Sequence, residues 1–206
     1  MLSVPMIVMD GAALYDAREN KYLCVKTLER DQAAALREML DRMGLSYFIY
    51  TVHHGRTCIF HQGPLRSEER AILDRMRASP YRSYLEGEIL DEAEIVYFKV
   101  IGSDARISQL EKRLGSDALD RKLRLVSRPQ SEPGVSGLYF YAGSATMKNA
   151  KEALMKRLWE KEPGLRPVEV FSRTPYRTEA DALHLLHRVG NAYEPLWIFA
   201  GRDKKE

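Results

Sequence analysis

A chain of 206 residues, 45% hydrophobic and 30% charged, has the composition of a folded globular protein, with room for one large domain or two small ones. Its 32 basic and 29 acidic residues leave a net charge of +3, too balanced to argue for nucleic acid or an anionic membrane as partner. No stretch approaches the roughly 20 apolar residues of a membrane helix. The apolar N-terminal run is short, lacks a basic flank and is broken by Asp10, so it does not read as a signal peptide, and Cys24 and Cys58 have no CxxC spacing; the expectation is a reduced, cytoplasmic protein.

In chain order, Val4–Met9 reads as a buried strand ending at the turn dipeptide Asp10-Gly11. Ala12–Tyr15 and Tyr22–Lys26 flank the polar segment Asp16–Lys21 and predict a hairpin. Ala33, Leu36, Met39, Leu40 and Met43 then recur at helical spacing, with Gly44 where a C-terminal glycine cap belongs. Tyr47–Val52 and Thr57–Phe60 are strands joined by His53-His54-Gly55-Arg56. Ser67 begins a helix carrying Ile72, Leu73 and Met76, and Ser79–Asp91 reads as irregular, broken by Pro80 and Gly87. Glu94–Ile101 is the strongest strand signal; Asp104–Leu114 is a helix with Ile107 and Leu110 inward, and Lys122–Ser127 is a further strand.

An aromatic strand around Leu138 and Phe140 runs into the turn Ser144–Thr146 and a helix with Lys148 in its first turn and Ala150, Ala153, Leu154 and Leu158 on one face. Either Ser144 or Thr146 can cap that helix. Pro167–Phe171 reads as a strand, Glu179–Leu186 as a helix and Leu196–Ala200 as a last strand before a charged tail. The middle of the chain predicts an α+β layer, helices on one face of a mostly antiparallel sheet. The two ends look closer to a parallel α/β arrangement.

A helix N-terminus bearing a lysine is a natural seat for phosphate. The candidates are Ser144, Thr146, Lys148, Asn149, Arg173 and Arg177, either as an anion site or as ordinary solvated side chains. His53, His54 and His61 cluster near the hairpin, and His184 and His187 lie three apart without an HExxH frame; both sets read as ordinary rather than metal-binding. Tyr47, Phe48, Tyr50, Tyr97 and Phe98 read as core rather than as a ligand pocket. Arg113, Lys122, Arg124 and Arg128 read as a solvated face.

The segment Pro5–Asp16, PMIVMDGAALYD, resembles the "NGA-x-hydrophobic-Y-D" lead-in to the cap of Cof-type phosphatases of the haloacid dehalogenase superfamily, with Asp10 in place of the Asn. Leu138–Leu158 resembles the exit from that cap, with Lys148 at the position of the lysine that holds phosphate and the nucleophile carboxylate, and Val189–Ala192 is similar to the family's closing V-G-N-A turn. The resemblance implies a cap over 27–141 and a partial Rossmann-like core from 1–26 and 142–206. It also implies Mg²⁺-dependent phosphoryl transfer through an Asp-x-Asp motif, because an anion attacking an anion needs Mg²⁺ and Lys to neutralise both.

The sequence departs from the pattern at those points. It contains no Asp-x-Asp; if Asp10 were the second aspartate, Val8 would take the nucleophile's place. Where metal-binding acids are expected the run is FSRTPYR, placing Arg173 and Arg177, or Ser172 and Tyr176 one register over. None of these is a carboxylate for Mg²⁺, and the arginines favour an anion. The expectation is a catalytically inactive homologue: no catalytic residue, no metal site, no bound cofactor although the family uses Mg²⁺, and a residual role in binding a phosphorylated small molecule or a protein. The alternative is one part of an active phosphatase whose nucleophile segment comes from elsewhere. A partial core would leave strand edges open. Three remedies exist: the remnant strands pair with each other, they pair across a homodimer, or another polypeptide completes the sheet. A repaired lobe with self-association is the expectation.

Overall fold

The computed structural model describes residues 5–16, 19–53, 55–64, 66–77, 82–85, 89, 94–114, 123–130, 132–161, 168–172 and 196–200. In chain order the elements are β1 (Met6–Val8), a 3-10 turn (Met9–Gly11), β2 (Ala13–Asp16), β3 (Lys21–Val25), α1 (Arg30–Arg42), β4 (Tyr47–His53), β5 (Arg56–Gln62), α2 (Ser67–Arg77) and β6 (Arg82–Leu85), followed by β7 (Glu94–Ser103), α3 (Asp104–Leu114), β8 (Leu123–Pro129), β9 (Val135–Ala142), α4 (Met147–Lys161), β10 (Val168–Ser172) and β11 (Leu196–Ala200). The chain divides into two compact units, Thr27–Gly143 and Met1–Lys26 with Ser144–Glu206. The architecture is α+β, as the alternation of periods predicts.

The unit Thr27–Gly143 is built on a six-stranded sheet of order β6-β5-β4-β7-β9-β8. Every pairing is antiparallel except β5 with β6. β6 falls inside the stretch read as irregular; it is a four-residue outer strand whose pairing with β5 requires the α2 crossover, which local pattern does not reveal. α1 opens with Gln32 Oε1 accepting the Glu29 N–H at 3.1 Å. It closes at Gly44, in the left-handed region at φ 60, where Leu45 N–H reaches Leu40 O at 3.0 Å and Gly44 N–H reaches Asp41 O at 2.9 Å.

Period two sorts the strands into two faces. On one, Tyr47 lies against Phe98 and its hydroxyl donates to Asp41 of α1 at 2.8 Å. Gly102, four residues along from Phe98, faces Ile107 of α3, so α1 and α3 cover this face. Burial, and then the Asp41 carboxylate beside it, push the Tyr47 phenol up to about 12. On the opposite face, Tyr50, Tyr97 and Tyr141 stand in register across three strands, with Tyr50 stacked on Tyr97 at 4.2 Å between ring centres. Tyr47, Phe48, Tyr50, Tyr97 and Phe98 are all buried, as core packing requires.

The other unit has a five-stranded sheet of order β10-β11-β1-β2-β3. Here the expected parallel arrangement is not found: all four pairings are antiparallel. The four-residue link between β1 and β2 is far too short for a crossover, so the strands can only run opposite ways. β1 is paired on both sides, by β2 and, through Ile7 opposite Trp197, by β11; the edge is filled within the chain. α4 packs on this sheet. Ala150 and Leu154 join Ile7 and Leu14 in one buried cluster, with Leu23, Cys24, Met147, Ala153 and Met155 around it. Arg157 of α4 donates to Leu23 O of β3 at 2.9 Å.

Candidate functional site

The chemistry-bearing residues gather where the turn after β1 meets the start of α4. Met9, Asp10 and Gly11 all have positive φ, at 52, 54 and 89. Left-handed backbone is costly for methionine, tolerated by aspartate and free for glycine. Ala12 N–H closes the turn on Met9 O at 2.8 Å. A Cβ on Gly11 would lie 2.4 Å from the Thr146 carbonyl carbon and 2.5 Å from Met147 N. The turn therefore lies backbone to backbone against the first residues of α4, an approach only glycine permits. Asp10 is 5% exposed and sits in this turn.

The start of α4 is held by a compact set of bonds. Thr146 Oγ1 accepts the Asn149 N–H at 3.1 Å, so of the two candidate caps Thr146 is the one used. Asn149 Nδ2 donates to Ser144 O at 2.8 Å, and Thr146 N–H reaches the same carbonyl at 3.0 Å. Lys148 follows, exposed in the first turn. A depression of about 870 Å³ runs along the helix from it, lined by Lys148, Lys151, Glu152, Met155, Lys156 and Glu160.

Four of the six proposed anion-binding residues are thus brought to one helix start. Two of them, Thr146 and Asn149, spend a polar atom on closing the turn itself. Arg173 and Arg177 lie outside the described residues, as do His54, His184, His187 and Lys122. The arrangement offers positive helix-end potential and an ammonium group to an anion. For Mg²⁺, which takes oxygen ligands, the turn contributes the single carboxylate of Asp10, and among the described residues no three His, Cys, Asp or Glu side chains gather for a metal. Sequence reasoning placed a turn at Asp10-Gly11 but not its approach to α4; the Asp-Gly pair directly after an apolar run is the available signal.

Other candidates resolve differently. His61 lies edge-on to Phe48 at 4.8 Å, and burial, aided by Arg77, holds its pKa below the usual value. Arg124, expected on a solvated face, instead sets its guanidinium over the Tyr141 ring at 4.7 Å.

No family model and no curated protein matches the sequence. Solved structures do. A haloacid dehalogenase-like hydrolase from B. subtilis superposes with TM-score 0.52 at 16% identity, covering 74% of this chain and 57% of its own. A haloacid dehalogenase-like hydrolase from Bacteroides thetaiotaomicron superposes with TM-score 0.50 at 15% identity, covering 72% of this chain and 52% of its own. The chain has the haloacid dehalogenase-like fold. It spans little more than half the length of either hydrolase. At such identity the likeness concerns the backbone, and it agrees with the resemblance carried by PMIVMDGAALYD and by the strand–turn–helix around Lys148. Among the described residues no helix is long and apolar enough to cross a membrane.

Proposed function

We propose that this chain is a Cof-type haloacid dehalogenase-like hydrolase homologue that binds the phosphoryl group of a small molecule at the start of α4 and does not cleave it unaided. The observation that carries the reading is the seating of Gly11 against Thr146 and Met147, which brings the lead-in turn and the lysine-bearing helix to one point. Lys148 supplies the cation, the α4 N-terminus supplies donors, and Ser144, Thr146 and Asn149 fix the shape of the turn. In this reading residues 27–141 are the cap, and residues 1–26 with 142–206 are the core portion. Cleavage would need a nucleophilic aspartate and carboxylates for Mg²⁺, and the sequence has no Asp-x-Asp. The compartment is the reducing cytoplasm, consistent with free Cys24 and Cys58.

The test is turnover. Purified chain is incubated with Mg²⁺ and p-nitrophenyl phosphate or a panel of sugar phosphates; no release of phosphate above background is expected. Turnover abolished by Lys148→Ala would overturn the reading. A second reading, favoured by the 57% and 52% coverage of the two hydrolases, is that the chain is one part of an active Mg²⁺-dependent phosphatase whose nucleophile segment is supplied from elsewhere. A homodimer or a second polypeptide is the partner it implies, and turnover appearing only when that partner is added would distinguish it.

A further inference from the structure

Lys99, in the centre of β7, is 3% exposed. A lysine this deep is ordinarily paired with a carboxylate, because burying a cation costs far more than burying an amide. Among the described residues Lys99 has no such partner. Its ammonium donates to Gln130 Oε1 at 2.9 Å and lies 5.2 Å from the centre of the Tyr139 ring. Both are neutral acceptors, and among the described residues one hydrogen bond serves an ammonium that has three donors. The surroundings accommodate this arrangement. Gly137, beside Tyr139 on β9, would with a Cβ come within 2.8 Å of Gln130 Nε2 and 3.2 Å of Lys99 Cε, so its lack of a side chain makes the space. Gln130 follows β8 in the turn to β9 and is only half-buried, with Nε2 on Arg128 O at 3.2 Å.

We propose that Lys99 is an anion-receiving group of the unit Thr27–Gly143, and that the Gln130 amide oxygen holds the place of a phosphoryl or carboxylate oxygen of a small ligand. Gln130 is the group that moves, since it is the one half-exposed member at the end of a strand. The bound oxygen replaces a neutral acceptor with a charged one, which shortens and strengthens the bond. Tyr139 and Tyr97, ring centres 5.8 Å apart, form the wall beside it. This inference stands apart from the α4 site and does not depend on it.

A buried cation kept for binding should weaken the ligand-free protein, whereas a purely structural lysine should strengthen it. The test measures thermal unfolding of the full chain carrying Lys148→Ala, which disables the α4 site, with sodium phosphate or sodium malonate at matched ionic strength. The expected result is a Tm raised by the anion. Adding Lys99→Met should raise the anion-free Tm by about 2–4 °C and remove the anion-induced rise; Lys99→Arg should keep part of it. Gln130→Ala should lower the anion-free Tm yet retain the anion response. A rise with phosphate alone assigns a phosphoryl ligand, and a rise with malonate alone a carboxylate. A Tm lowered by Lys99→Met, an equal anion response with and without Lys99, or no response to either anion overturns the proposal.

Discussion

The two sheets are assembled from different kinds of neighbour. In Thr27–Gly143 β4 pairs with β5 and β8 with β9 as chain neighbours and β5 with β6 around α2, while β4–β7 and β7–β9 join strands with other elements between them. In the other unit β1 pairs with β2 on one side and, on the other, with β11 from the far end of the chain. The first sheet draws all of its strands from one continuous stretch of chain. The second must close a long loop before Ile7 meets Trp197, which costs chain entropy that only subsequent burial offsets. The candidate anion site at α4 lies on the second sheet, so its geometry depends on the more vulnerable of the two cores.

Variants can separate the units. Leu154, fully buried between α4 and the β1–β2 pair, is the largest lever. Leu154→Ala is expected to cost about 2–5 kcal/mol, with amide-exchange protection lost at Ile7 and Leu14 but kept at Phe98 and Phe140. Equal loss in both sets would mean the units unfold together. Gly11→Ala attacks the same unit through its backbone. With φ at 89 and a Cβ position 2.4 Å from Thr146, it should destabilise by about 1–3 kcal/mol from overpacking alone, read by urea denaturation.

Tyr47 probes the other unit. Its phenol is raised from 10.0 to about 12, so the stabilising contribution is complete below pH 10 and is lost as pH rises towards 12. Over that interval stability should fall by about 1.4 kcal/mol per pH unit, and Tyr47→Phe should remove this part of the slope. An unchanged slope in the variant would show that the phenol titrates normally. The smallest effect expected is that of Thr146→Ala, which removes the α4 cap at a cost of about 1 kcal/mol; thermal unfolding is the readout.

The same contrast explains what the sequence could disclose. The β2–β3 hairpin, α1 with its Gly44 stop, the β4–β5 hairpin and α3 were each legible because period, turn residues and caps are all local. β6 was not, since four residues reading RSYL carry no pattern and the pairing with β5 is set by α2. Nor was the antiparallel course of the end strands, because Ile7 carries no mark of its partner Trp197. At the site, Lys148 and the capping threonine were readable, whereas the seating of Gly11 on them arises only when β1, β2 and α4 pack. Arg124 misled because a basic residue among acids looks solvated until Tyr141 is placed beneath it.

The most direct test of the account is amide NMR of the full chain titrated with inorganic phosphate. The account predicts that the resonances of Met147, Lys148 and Asn149 shift with phosphate in the wild-type chain and stay fixed in Lys148→Ala. Resonances at α4 that ignore phosphate, or that move equally without Lys148, would contradict it.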